Sequence, residues 1–367
     1  MLKPDLILVL SYLIISAIGL LMIYSATAPG LEAAGRDPAI ELRSQAFFVV
    51  IGFIAFGAMS AASLVEIKGF VGPMYLVSVV LLILVLSPLG ESEGLAQRWL
   101  DLGPIQFQPS EFAKIAVILM VASALAASEV PLKWNAVARV IVIAGVPALL
   151  IFRQPDLGTT LVFAFVVLVV LFVGGATMRQ LGFLFVATVV GTVGIFQLKI
   201  IKAYQLTRLT AFIDPDSHSL DQTYSQVQSE IAIGSGGLFG KGLFEGSQTN
   251  LQFVPVQSSD FIFTAVGEQF GFVGSIIVIG LFGLMLFRLF MIAVATRSRF
   301  AFLVTVGITA MIMFHVFVNI GMTVRIMPIT GLPLPFMSAG GTAFVALSAS
   351  LGLAHSAWMR RDLPVVD

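Results

Sequence analysis

The sequence predicts an all-α polytopic membrane protein with about ten transmembrane helices, both termini cytoplasmic and a large extracellular loop between helices 7 and 8. Three observations predict it. Of 367 residues, 58% are hydrophobic and only 11% charged, where a soluble domain carries about a quarter charged residues. The mean hydropathy is +1.02. The apolar residues form continuous runs that do not alternate, which excludes an outer-membrane barrel, and most of those runs approach the roughly 20 residues that a bilayer core requires.

Ten runs qualify: about 6–27, 44–64, 70–87, 110–128, 137–152, 158–175, 180–198, 261–287, 300–323 and 335–357. The fifth is short and the eighth long, which calls for tilt or partial burial. The first is long enough to span, so no cleavable signal peptide is expected. Cysteine is absent, so neither disulfides nor thiolate metal sites are expected. Twenty basic residues balance twenty acidic ones, which argues against a nucleic-acid partner. One membrane domain over 1–367 is expected.

An even number of spans places both termini on one side, and charge decides which. The short loops on the terminal side hold Lys3, Lys68, Lys133, Arg139, Arg179, Arg288, Arg297, Arg299, Arg360 and Arg361 against Asp5, Glu66, Glu129, Asp362 and Asp367. An excess of five positive charges marks that side as cytoplasmic. The remaining loops then face outward. The longest, about 199–260, joins spans 7 and 8, and the next covers about 88–109.

Most of the polar clusters fall on this outer side. In QRWLDLGPIQFQPSEFAK, 97–114, Pro109 suits a first helical turn, with Gln108 or Ser110 as cap. Glu111 and Lys114 are three apart and share a helix face. They read either as a surface ion pair beside an interfacial Trp99 or as a polar pocket for a charged headgroup. In FRQPDLGTT, 152–160, Arg153 and Asp156 flank Pro155. Turn chemistry explains the loop, yet a turn does not require an Arg–Asp pair.

The run YSQVQSEIAIGSGGLFGKG, 224–242, carries Gly234, Gly236, Gly237, Gly240 and Gly242. A Walker loop needs glycine where Ser235 stands and Ser or Thr where Gly242 stands. A flexible hinge is the expected role, with Lys241 a mobile cation beside backbone that can approach a phosphate. In SSDFIFTAVGEQ, 258–269, Ser258, Ser259 or Asp260 is placed to cap span 8. Capping and chemistry are compatible, because a carboxylate partly withdrawn from water becomes a stronger base. Glu268, two turns deeper, calls for a partner or a cavity.

In NIGMTVRIMPITGLPLPFMSAGGTA, 319–343, Pro328, Pro333, Pro335 and Gly331 break the helix between spans 9 and 10. Such backbone survives at membrane depth only when protein or a wet cavity covers it. Arg325 meets an anion or snorkels. His315 and Asn319, one turn apart, are expected to make interhelical hydrogen bonds. Nothing marks His218 or His355 as a ligand.

These motifs carry a resemblance. Segment 319–343 is similar to the signature of the SEDS family (shape, elongation, division and sporulation), with Asn319, Arg325, Pro328, Gly331, Ser338, Gly340 and Gly341 in register. RWLDLG with QPSEFAK, QPDLGT, IGSGGLFGKG and SSDFIFTAVGE match in the family's order. The compact length and short tails resemble the rod-shape branch, RodA, more than the division branch, FtsW. The resemblance implies a peptidoglycan glycosyltransferase of the bacterial cytoplasmic membrane that polymerises lipid II on the outer face, for wall elongation and cell shape, beside a class B penicillin-binding protein.

The family's catalytic aspartate carries over to Asp260. Its donor has an α-linked pyrophosphate and its product a β linkage, so one in-line displacement with a single base is implied, as in inverting glycosidases. Lys114, Arg98, Lys241, Arg153 and Arg325 are the outer cations for the leaving group, Lys114 first. Glu111 is expected to orient Lys114, and Trp99 to stack on a sugar or anchor the interface. No cofactor or protein-bound metal is called for; a divalent cation is the alternative source of positive charge. A rival reading is a lipid II flippase, which would place ionisable groups at the midplane and show repeat symmetry. A partner-binding scaffold is a third, and would need no ordered acid and cations.

Overall fold

The computed structural model describes residues 3–93, 96–101, 103, 106–197 and 220–362. His218, Asp367 and the 198–219 part of the long loop lie outside them. Ten apolar helices dominate: α1 (Leu6–Ala33), α2 (Ile40–Ala61), α3 (Leu64–Val85), α4 (Pro109–Ala126), α5 (Trp134–Arg153), α6 (Leu157–Val173), α7 (Met178–Gln197), then α10 (Ile262–Ala295), α11 (Arg299–Thr323) and α12 (Gly341–Met359). Eight are long and apolar enough to cross a bilayer, and α6 and α7 are shorter apolar helices. The outer segment between α7 and α10 adds α8 (Leu220–Ser235) and the single turn α9 (Ser247–Asn250). Each expected run has its helix, and most ends agree within about three residues; α1 ends six and α10 eight residues later, α2 starts four and α3 six residues earlier, and α12 starts six residues later than the runs.

Local chemistry explains several boundaries. The side chains of Asp5, Ser63, Asp156 and Ser298 accept backbone N–H bonds at the starts of α1, α3, α6 and α11, satisfying groups that the helix leaves open. Pro109 occupies the first turn of α4, as expected, although Gln108 caps it without a side-chain bond.

Helices α4, α11 and α12 are buried over most of their length, while α2, α3 and α7 present apolar faces outward, including Phe70, Leu76, Val77, Phe183 and Phe185. So much exposed apolar surface fits lipid, not water, as its solvent. The protein is a multi-pass membrane protein. The start of α1 and the end of α12 meet at one end of the bundle. Asp5 pairs with Arg288 of α10, the Asp5 N–H donates to Nε2 of His355 on α12 at 3.0 Å, and the other ring nitrogen of His355 bonds Ser60 of α2 at 3.1 Å. At the same end Arg299 reaches the carbonyls of Ser128 and Gly174.

Two features add detail to the outer segments of this mostly helical fold. The 88–109 segment holds a small antiparallel sheet, β1 (Gly90–Glu93), β2 (Ala96–Asp101) and β3 (Gln106–Phe107), in the order β1-β2-β3, with Glu91 opposite Trp99 and Leu100 opposite Phe107. The glycine-rich run is no loose hinge either. Its first part ends α8, and the rest wraps a kink in α10 at Gly271, where φ is 65° and ψ −159°.

The kink frees backbone groups, and the glycine run takes them up. Phe272 and Val273 N–H donate to Gly237 and Leu238 carbonyls at 2.9 and 3.1 Å, while Lys241 and Gly242 N–H donate to Glu268 and Gln269 carbonyls at 3.0 and 3.1 Å. A Cβ on Gly240 would fall 2.1 Å from the Gln269 carbonyl oxygen, so bare backbone is required there.

Gly271→Ala puts a side chain into a backbone region that is essentially glycine-only, with its Cβ 2.4 Å from Gly240 N. A loss of at least ~1–3 kcal/mol is expected, seen as a lower melting temperature in detergent. Gly57→Ala, whose Cβ meets nothing within 4 Å, is expected to melt like the wild type.

Candidate active site

The candidate site's polar groups gather at the end of the bundle opposite the start of α1, where α4, α6, α10 and α12 begin and α11 ends. The first turns of α4 bring Glu111 and Lys114 onto one face, and their ion pair is 2.8 Å long with both side chains about 3% exposed. It is no surface pair. Lys114 Nζ also lies 3.1 Å from His315 Nε2 on α11. An ammonium only donates, so Nε2 accepts, and Nδ1–H is left to donate to the Pro333 carbonyl at 3.3 Å. His315 thus joins α4 to the broken segment before α12. Two of the three donors of Lys114 are engaged; Glu111 Oε2 and Ser110 Oγ are buried without a hydrogen-bond partner among the described residues.

Asp260 sits half-buried just before α10. It does not cap the helix, and neither does Ser258 or Ser259: the N-cap is Phe261, with no side-chain bond. Instead Asp260 Oδ1 accepts from Ser259 Oγ at 3.2 Å, and its carbonyl accepts from Asn319 Nδ2 at 2.8 Å. Gly331, at φ 70°, lies alongside: a Cβ there would be 3.5 Å from Asp260 Oδ2. The turn before Asp260 is pinned by Ala339 N–H donating to the Ser258 carbonyl at 2.8 Å.

A second group approaches the same segment through α6. Arg98 of β2 donates to the Pro155 carbonyl at 2.6 Å and lies 3.9 Å from Asp156 Oδ2. Asp156 meanwhile caps α6 through Thr159. At Gly158 the start of α6 comes so close to the segment that a Cβ would lie 2.6 Å from the Thr330 carbonyl. Trp99 is half-buried on β2.

The other expected residues do different work or stand apart. Arg153 is exposed at the end of α5, and Asp156 pairs with Arg98 in its place. Lys241 is not a mobile cation: it bonds Glu268 at 2.9 Å and Ser247 at 2.8 Å. Glu268 is fully buried and also accepts the Gln248 and Thr249 N–H groups at 2.8 and 2.9 Å, which fastens α9 to α10. Arg325 pairs with Glu230 of α8 at 3.3 Å near the surface. Among the described residues no group of three His, Asp or Glu side chains converges as metal ligands do.

Lys114→Ala strands the buried Glu111 carboxylate and is expected to cost ~3–5 kcal/mol, read as a fall in melting temperature. Glu111→Leu with Lys114→Met, which removes both charges, is expected to recover most of that loss.

With this geometry in place, comparison with known proteins gives a consistent result. Residues 5–362 match the model of the FtsW, RodA and SpoVE family, described as cell cycle protein. Peptidoglycan glycosyltransferase MrdB of Escherichia coli K12 is 38% identical over 350 residues, covering 94% of this chain and 92% of that one. Peptidoglycan glycosyltransferase RodA of Treponema pallidum is 30% identical, with 96% of each chain covered. Among solved structures, a chain of a peptidoglycan synthase complex, studied for its coordination of polymerization and crosslinking, superposes with TM-score 0.83 at 31% identity over 99% of this chain and 100% of that one. The rod shape determining protein RodA of Thermus thermophilus superposes at 0.73 with 32% identity and 99% of both chains.

Proposed function

The chain belongs to the FtsW, RodA and SpoVE family of cell cycle proteins, and on that premise we propose that it is a peptidoglycan glycosyltransferase polymerising lipid II at the outer face of the cytoplasmic membrane. The glycosyltransferase names of relatives aligned over nearly their whole length support the activity. The end of the bundle that holds Asp260 is the outer one in this reading, because the opposite end carries Arg288, Arg299, Arg360 and Arg361 and cytoplasmic ends are enriched in such charge. A class B penicillin-binding protein crosslinks the new strands; the solved synthase complex, which couples polymerization with crosslinking, supports that partnership.

The observation that carries the site assignment is Asp260: an acid at a helix start that does not cap the helix, half-buried beside a glycine that leaves room, and held by its own backbone. Asp260 is the base in this reading. The acceptor sugar's 4-hydroxyl attacks the anomeric carbon of the donor from the face opposite the pyrophosphate. The new C–O bond forms as the C–O bond to the pyrophosphate breaks, the hydroxyl proton passes to Asp260, and undecaprenyl pyrophosphate departs. A positioned base supplies ~10²–10⁴ in rate, and positioning and leaving-group charge supply the remainder. Lys114 and Arg98 are the cations assigned to the pyrophosphate, Lys114 through its remaining donor and Arg98 from its half-buried position on β2; Glu111 and His315 orient Lys114, and Trp99 meets a sugar. Confinement of these groups to one end of the bundle favours an enzyme over a flippase, which would carry them near the midplane.

Asp260→Asn keeps the shape of the side chain and removes the base. It is expected to abolish polymerisation of purified lipid II in the presence of the partner while leaving the melting temperature near that of the wild type. Full activity of that variant would overturn the assignment.

A further inference from the structure

We propose that Asn319 is a positioning residue for this reaction, a side-chain clamp that fixes the Asp260 peptide against the broken segment before α12. This rests on the reading of Asp260 as the base. Asn319 lies four residues from the end of α11 and is fully buried. Its Nδ2 donates both hydrogens, one to the Asp260 carbonyl and one to the Leu332 carbonyl, each at 2.8 Å. Two carbonyl acceptors around one atom fix which end of the amide is nitrogen, and they require two donors from one short side chain. Neither Asp nor Leu meets that requirement.

The clamp joins the two pieces of backbone that border the carboxylate. Leu332 follows Gly331, the residue that lies against Asp260 Oδ2, so one side chain fixes both the carboxylate's own peptide and the wall beside it. One helical turn back along α11, His315 holds the next carbonyl, that of Pro333, and Lys114. Asn319 and His315 therefore set two successive carbonyls of the segment from one helix face. Asn319 touches no reacting atom in this arrangement. Its effect passes through Asp260, and a displacement of ~1 Å at a reacting group is enough to cost about 10²-fold in rate.

The test compares Asn319→Ala, which removes both donors, with Asn319→Leu, which removes both and keeps the volume, in the full-length protein with its partner. Lipid II polymerisation is followed across pH, with the folded fraction measured by gel filtration and Asp260→Asn run alongside. The expected result is a KM within about twofold of wild type, a kcat per folded enzyme at least about tenfold lower in both variants, and a displaced acid limb of the kcat profile in both. Wild-type kcat in either variant, or a loss in activity that tracks the folded fraction with an undisplaced acid limb, would overturn the clamp. If Asn319→Ala does not fold, Asn319→Leu decides by the same criteria. An active Asp260→Asn would instead overturn the reading beneath it, so the two failures are distinguishable.

Discussion

The constraint on which the rest of the structure depends is a stretch of non-helical backbone inside a membrane bundle. Between α11 and α12 the prolines end helical bonding, and lipid offers no substitute partners. The segment's amides and carbonyls are therefore met by side chains and backbone from elsewhere. Asn319 takes the Leu332 carbonyl, His315 that of Pro333 and Gln226 that of Met327; Gln45 accepts from Gly340 N–H and the Ser258 carbonyl from Ala339 N–H. These partners come from α11, α8, α2 and the turn before α10. Satisfying one segment thus draws together the residues that also place Asp260 and Lys114, so the site is built by the same hydrogen bonds that make the break tolerable.

A second break repeats the logic. The kink of α10 at Gly271 would leave four backbone groups open, and the glycine run 236–242 closes them. The run's glycines allow two backbones to approach within hydrogen-bonding distance, the same property that would let a phosphate approach. Lys241, which in isolation reads as a phosphate ligand, serves the buried Glu268. The outer segment is thereby fixed to α10 directly below the turn that presents Asp260.

Much of this was legible in the residues. The ten helices follow from composition and continuity, because a bilayer leaves a chain this apolar few alternatives, and Pro109, Asp156 and the proline cluster mark boundaries that local chemistry sets. The Glu111–Lys114 contact follows from helical spacing, but its burial does not, since burial depends on α11 packing over it. His315 carried a signal, a titratable ring one turn from Asn319 in an apolar run, yet its partner lies 201 residues away and spacing is blind to that. The choice of Arg98 over Arg153 for Asp156 depends on a short sheet, whose strands of two to six residues leave little periodicity to read. The cap expected at 258–260 fails because Phe261 occupies the cap position and tertiary bonds to Asn319 and Ala339 orient the turn instead.

Bond-making at the polar end of this bundle, as opposed to mere passage of a lipid, is open to a direct test. The purified protein is reconstituted with a class B penicillin-binding protein in liposomes that contain labelled lipid II, and the label is followed. Glycan ladders formed on the side that Asp260 faces are expected. Translocation of intact lipid II with no ladder in any condition would contradict it.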